Sequence, residues 1–138
     1  MKKALVLNCL LALLGAAQEE PTRRQSQKEG YRPADVKVLG DLNYGQSSGE
    51  VLCSVSPPYN AFVFNGNGGD KIEVTVKRSD GTAFVVIADS GLVPIAEGSN
   101  ALALSLPNRG PDVDAFYIVF RAPESKPARF TVQLKKLE

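Results

Sequence analysis

From Asp35 onward the chain alternates apolar and polar residues with a period of two. In residues 71–77, Ile72, Val74 and Val76 fall on one side of an extended chain, and Lys71, Glu73, Thr75 and Lys77 fall on the other. That is the pattern of a half-buried strand. Residues 130–135 (FTVQLK) repeat it, and residues 101–106 (ALALSL) do the same with leucines. Residues 59–64 (YNAFVF), 83–88 (AFVVIA) and 115–121 (AFYIVFR) are apolar on both sides and read as central strands. The stretches between are turn chemistry: residues 65–70 (NGNGGD), 79–81 (SDG), 89–91 (DSG), 97–100 (EGSN), 107–111 (PNRGP) and 122–127 (APESKP). Ser79-Asp80-Gly81 reads as a hairpin joining the strands on either side of it. No stretch after Leu14 sustains a 3.6-residue period with caps. Seven to nine short strands at this spacing predict an all-β sandwich or barrel over residues 35–138.

The first 34 residues follow a different logic. Lys2 and Lys3 precede an apolar run over residues 4–14, and Gly15-Ala16-Ala17 supplies a small-residue tail. This is the layout of a secretory signal peptide over residues 1–17, since the run falls short of the ~20 apolar residues a spanning helix needs. Residues 18–34 carry charges of both signs and two prolines among few apolar side chains, and read as a flexible polar leader. The expected address is secreted or periplasmic, with no transmembrane segment once the signal is removed.

Composition narrows the chemistry. The sequence contains no His, which excludes a Ser-His-Asp triad, a Cys-His pair and any His-ligated metal. It has 16 basic and 15 acidic residues, and loss of residues 1–17 removes two of the former and none of the latter. A side-chain charge of about −1 gives no reason to expect nucleic acid as a partner. Cys53 is then the remaining cysteine. If its surroundings are a strand it shares a face with Val51 and Val55, and reads as a small buried hydrophobe.

The order of features resembles a known family. Residues 42–47 (LNYGQS) precede a strand, and an aromatic strand (59–64), a Gly69-Asp70 turn and the alternating strand 71–77 follow. A strand ending in Asp89, a leucine-rich strand, the AFYIVF strand and the terminal RFTVQL strand (129–134) complete the series. Over residues 35–137 this resembles the bacterial pre-peptidase C-terminal domain. The resemblance implies a jelly-roll-like antiparallel β-sandwich that is accessory to catalysis, linked with secretion and, in some members, with binding of protein, polysaccharide or calcium. Here no peptidase precedes the domain in the sequence given.

Candidate sites are few. Asp70, in its glycine-rich loop, and the pair Asp112 and Asp114 are the candidate calcium ligands, through carboxylate oxygens. Against this, the glycines of residues 65–70 also suit a plain turn, and two neighbouring acids on a loop suit solvation. Tyr31 and Tyr44 lie among polar residues and are the candidate ligand-binding aromatics, whereas Tyr59 and Tyr117 sit in apolar strands and read as core or half-core. Arg109 and Arg121 flank the aromatic strand, where a charge discourages edge-to-edge association. No cofactor and no catalytic residue is expected. The sequence therefore reads as a secreted, non-catalytic binding or adaptor module for an extracytoplasmic protein or polysaccharide. The alternative is a structural, envelope-associated protein in an extracytoplasmic assembly.

Overall fold

A computed structural model describes residues 30–108 and 113–137. Nine strands form two sheets: β1 (Val36–Asp41), β2 (Ser47–Cys53), β3 (Tyr59–Gly66), β4 (Lys71–Arg78), β5 (Phe84–Ala88), β6 (Pro94–Ser99), β7 (Ala101–Ser105), β8 (Asp114–Arg121) and β9 (Ala128–Leu137). One sheet has five strands in the order β1-β3-β8-β5-β6, and the other has four in the order β2-β9-β4-β7. The expected β-sandwich is the fold. All pairings are antiparallel except at one edge, where β1 runs parallel to β3 with a bulge between Val38 and Gly40.

Among the connections, only β5 to β6 stays within a sheet; every other one crosses the sandwich. This corrects the hairpin expected at Ser79-Asp80-Gly81. The turn forms, with Arg78 and Gly81 in an isolated bridge, but β4 pairs with β7 and β9 while β5 pairs with β6 and β8. A turn tripeptide fixes the local reversal. Which sheet receives the next strand depends on where its apolar face can be buried. Similarly, Glu97-Gly98-Ser99, expected as a turn, lies in the edge strand β6. The reversal there falls on Asn100 instead, at φ 65°. Asparagine tolerates this left-handed region better than most side chains. Its side chain also does a job there: Oδ1 accepts from the Ala83 N–H at 2.9 Å, while its backbone pairs with Ala83 and Val76.

The period-two pattern places the core. Ile72, Val74 and Val76 of β4 and Phe130, Val132 and Leu134 of β9 face Phe64, Phe116, Ile118, Phe120 and Ile87 of the five-stranded sheet. Phe120 and Phe130 meet across the interior with ring centroids 4.9 Å apart. Cys53 closes one end, buried, as expected; Val51 packs on the core, but Val55 lies beyond the strand and is exposed. Burial pushes the Cys53 thiol up, against the opposing pull of Lys37.

The fold begins before residue 35. Pro33–Asp35 form a 3₁₀ turn, and the Tyr31 N–H donates to the Leu92 carbonyl at 2.9 Å. Residues 30–34, given above to the leader, are part of the folded domain. The reason is Tyr31: its single large ring finds an apolar surface to cover, which a composition average over the segment conceals.

Candidate functional site

Two of the residues singled out from sequence belong to one structural lock. The Tyr44 hydroxyl donates to Asp70 Oδ2 at 2.7 Å, and the Asn67 N–H donates to the same oxygen at 3.0 Å. Lys136 Nζ stands 3.7 Å from Asp70 Oδ1 and lies over the Tyr44 ring. The Asn67 N–H, the Tyr44 hydroxyl and the Lys136 ammonium hold the Asp70 carboxyl below the usual range, while burial and the bond to Asp70 push the Tyr44 phenol up. A Cβ at Gly66 would stand 2.6 Å from the Tyr44 hydroxyl and 2.5 Å from Leu106 Cδ1, so a larger residue there would force these side chains to shift. Both Asp70 oxygens thus already face protein donors. Asp114 begins β8 opposite Gly66, and Asp112, like Arg109, lies outside the described residues. Among the described residues no three His, Cys, Asp or Glu side chains group as metal ligands would.

The two outer faces of the sandwich differ sharply. On the four-stranded sheet, Lys71, Glu73, Thr75, Lys77, Arg129, Thr131, Gln133 and Lys135 point outward, with ion pairs at Glu73–Lys135 (3.9 Å) and Glu50–Arg129 (3.7 Å). That is a solvated face. The five-stranded sheet carries a second apolar cluster on its outside: Val36, Ala61, Val86, Ala88, Leu92 and Val119, with Tyr31, Tyr59, Phe84 and Tyr117 packed on it.

The pairing register sets these residues in rows across the strands. Val38, Ala61, Val119, Val86 and Glu97 form one row. Asp41, Val63, Tyr117, Ala88 and Pro94 form a second. Beyond the first row, Tyr59 pairs with Val36 and with Arg121, and Phe84 with Ser99. The middle of the sheet bears small and β-branched residues, and half-exposed rings stand around them. Tyr31, arriving from the preceding segment, packs against Tyr59 in a tilted pair, with centroids 4.6 Å apart and ring planes at 56°. Leu92 completes the surface from the β5–β6 turn at φ 64°. The left-handed backbone costs about 1–3 kcal/mol. Burying the leucine side chain, 8% exposed, is worth about 1.5–3 kcal/mol and offsets that cost.

Electrostatics at this face centre on Arg121. Its guanidinium lies 4.8 Å from the centroid of the Phe84 ring. No carboxylate among the described residues pairs with it. The Tyr31 hydroxyl is buried with no hydrogen-bond partner among the described residues. Burial, then the neighbouring Tyr59 and Glu97, push its pKa up to about 12.

The structure therefore separates the two tyrosines singled out from sequence: Tyr44 is spent in the Asp70 lock, and Tyr31 belongs to the aromatic face. Tyr59 and Tyr117, read as core or half-core, are half-buried members of that face, and Phe84 and Arg121 complete it. The signal available for them is parity. In β8 the residues Tyr117, Val119 and Arg121 share one face while Phe116, Ile118 and Phe120 share the other, so a strand apolar on both faces must be covered on both.

This arrangement defines a class before any single relative: a two-layer β-sandwich with one solvated and one aromatic outer face. No protein-family model matches the sequence, and no curated protein matches it. Among solved structures, the pre-peptidase C-terminal domain of the collagenase of Bacillus anthracis aligns with 76% of this chain and 99% of its own, at 11% identity and a TM-score of 0.51. The chain thus has the fold of a pre-peptidase C-terminal domain. PliG of Aeromonas hydrophila, a periplasmic inhibitor of g-type lysozyme, aligns over 72% of this chain and 99% of its own at 13% identity and a TM-score of 0.47. The PliG of Salmonella Typhimurium does so over 71% and 98% at 12% identity and a TM-score of 0.48. No helix among the described residues is long and apolar enough to cross a membrane.

Proposed function

We propose that this protein is an extracytoplasmic, non-catalytic binding module that holds a protein or a polysaccharide on the outer face of its five-stranded sheet. One observation carries the reading. The face bears an apolar cluster ringed by Tyr31, Tyr59, Phe84 and Tyr117, where the opposite face of the same sandwich is charged and solvated. A sheet face that serves only to meet water has no use for four aromatic rings, and clustered surface aromatics mark interaction sites.

The chemistry at hand favours holding over transforming. The sequence has no imidazole, and the Asp70 carboxylate is tied to Tyr44 and the Asn67 N–H. A general acid or base needs a pKa near the working pH, whereas these two groups are driven apart. The signal-peptide layout of residues 1–17 supports an address outside the cytoplasm.

The test is retention of the purified protein on immobilised envelope proteins and cell-wall polysaccharides, with Tyr59→Ala and Lys77→Ala as a pair. The reading expects the first substitution, on the aromatic face, to abolish retention and the second, on the solvated face, to leave it intact. Retention that Lys77→Ala removes and Tyr59→Ala spares would place binding elsewhere.

A further inference from the structure

Resting on that reading, we infer that the partner of the aromatic face is a protein, and that it sets a carboxylate side chain on Arg121 beside an apolar anchor. The argument starts from what the face can and cannot satisfy. A sugar ring carries a hydroxyl on most of its carbons, and each one buried without a partner costs free energy. Across the rows described above, the polar side chains besides tyrosine hydroxyls are Arg121, Ser99, Glu97 and Asp41. The remainder is valine, alanine, proline and aromatic ring, and Val38 in the first row is 50% exposed. Such a surface answers apolar side chains far better than hydroxyls. Tyrosine, phenylalanine and arginine are also the residues enriched at the cores of protein interfaces.

The charges are arranged as well as sparse. Arg121 lies on β8, the central strand of the five. Glu97 and Asp41 lie on β6 and β1, the two edges. Arg121 ends its strand, so the cation sits at one end of the face, on the middle strand, with anions on the two edge strands; that fits a partner with an acid there and neutral or basic groups to either side. The guanidinium is already stacked on Phe84, so little conformational freedom remains to be lost when a carboxylate docks.

The experiment pans the purified protein against a phage-displayed library of short random peptides. In parallel it is incubated with immobilised neutral and uronic-acid polysaccharides and weighed by analytical ultracentrifugation. Arg121→Glu and Lys77→Glu, both exposed positions, are carried through every arm. The inference expects enriched peptides with Asp or Glu beside an apolar residue. Arg121→Glu should weaken them about thirtyfold or more, and Lys77→Glu should leave them unchanged. Enriched peptides without acids, or ones indifferent to Arg121→Glu, would overturn it. Binding to polysaccharide alone would overturn the protein partner and leave the binding module standing. A dimer dissolved by Arg121→Glu would give the face to a second copy, and overturn it too. Silence in every arm would remove both the inference and the reading beneath it.

Discussion

Tyr44→Phe deletes one oxygen and leaves the ring where it is, against Phe64 at a centroid distance of 6.3 Å. What is lost is the 2.7 Å hydrogen bond to Asp70 Oδ2. A hydrogen bond to a charged acceptor contributes about 1.5–3 kcal/mol. Tyr44 is only half-buried, so water can partly replace it, and the expected cost is about 1–2 kcal/mol. For a domain of this size that lowers Tm by roughly 5–15 °C. Asp70→Asn removes the charge that the Asn67 N–H, Tyr44 and Lys136 all address, so the two substitutions are coupled: the double variant should cost about 1 kcal/mol or more less than the sum of the singles. The pH dependence follows from the sign of the shift. The folded-state pKa of Asp70 lies below its unfolded value, so its stabilisation is present above about pH 4 and is lost as pH falls through the folded pKa. Urea melts of the four proteins at neutral pH and down to about pH 2 measure all of this. Asp70→Asn should flatten the acid limb. A Tyr44→Phe variant within about 0.5 kcal/mol of the parent, or additive singles, would refute the lock.

Tyr31→Phe should behave in the opposite way, leaving stability unchanged or raising it by up to about 1 kcal/mol, because the hydroxyl it removes is buried without a partner among the described residues. With the Tyr31 pKa raised to about 12, its contribution holds below about pH 10 and is lost as pH rises toward that value, so Tyr31→Phe should soften the alkaline limb of a Tm-against-pH curve. Asn100→Ala should cost about 1–3 kcal/mol in chemical denaturation, since it leaves the Ala83 N–H unmet and puts alanine at φ 65°. Millimolar Ca²⁺ should leave Tm unchanged, because the Asp70 oxygens already face Tyr44, Asn67 and Lys136; a rise with Ca²⁺ concentration would require those contacts to give way.

The strands that were legible are those whose side chains report one environment per face. Residues 71–77 and 130–135 alternate because β4 and β9 have the core on one side and water on the other. The connectivity was not legible, and for a physical reason. In a sandwich whose chain crosses between sheets at nearly every turn, SDG and EGSN report a reversal or its neighbourhood but not its destination. Nor does a parallel edge such as β1 against β3 announce itself, since Val36 and Val38 would alternate equally well in either direction.

The aromatic face was hidden by a different ambiguity. AFYIVFR and AFVVIA read as strands buried on both sides, and β8 and β5 are, yet the coverings differ in kind: a second sheet on one side, and on the other, among the described residues, Tyr31, Leu92 and the rings of the sheet itself. Sequence pattern registers that both faces avoid water but not how thinly one is covered. The same thinness makes the outer face usable. A core face is closed by another sheet and can meet nothing else, whereas a cluster closed by half-buried rings and an arginine that no acid among the described residues pairs with can exchange its remaining water for a partner at little structural cost.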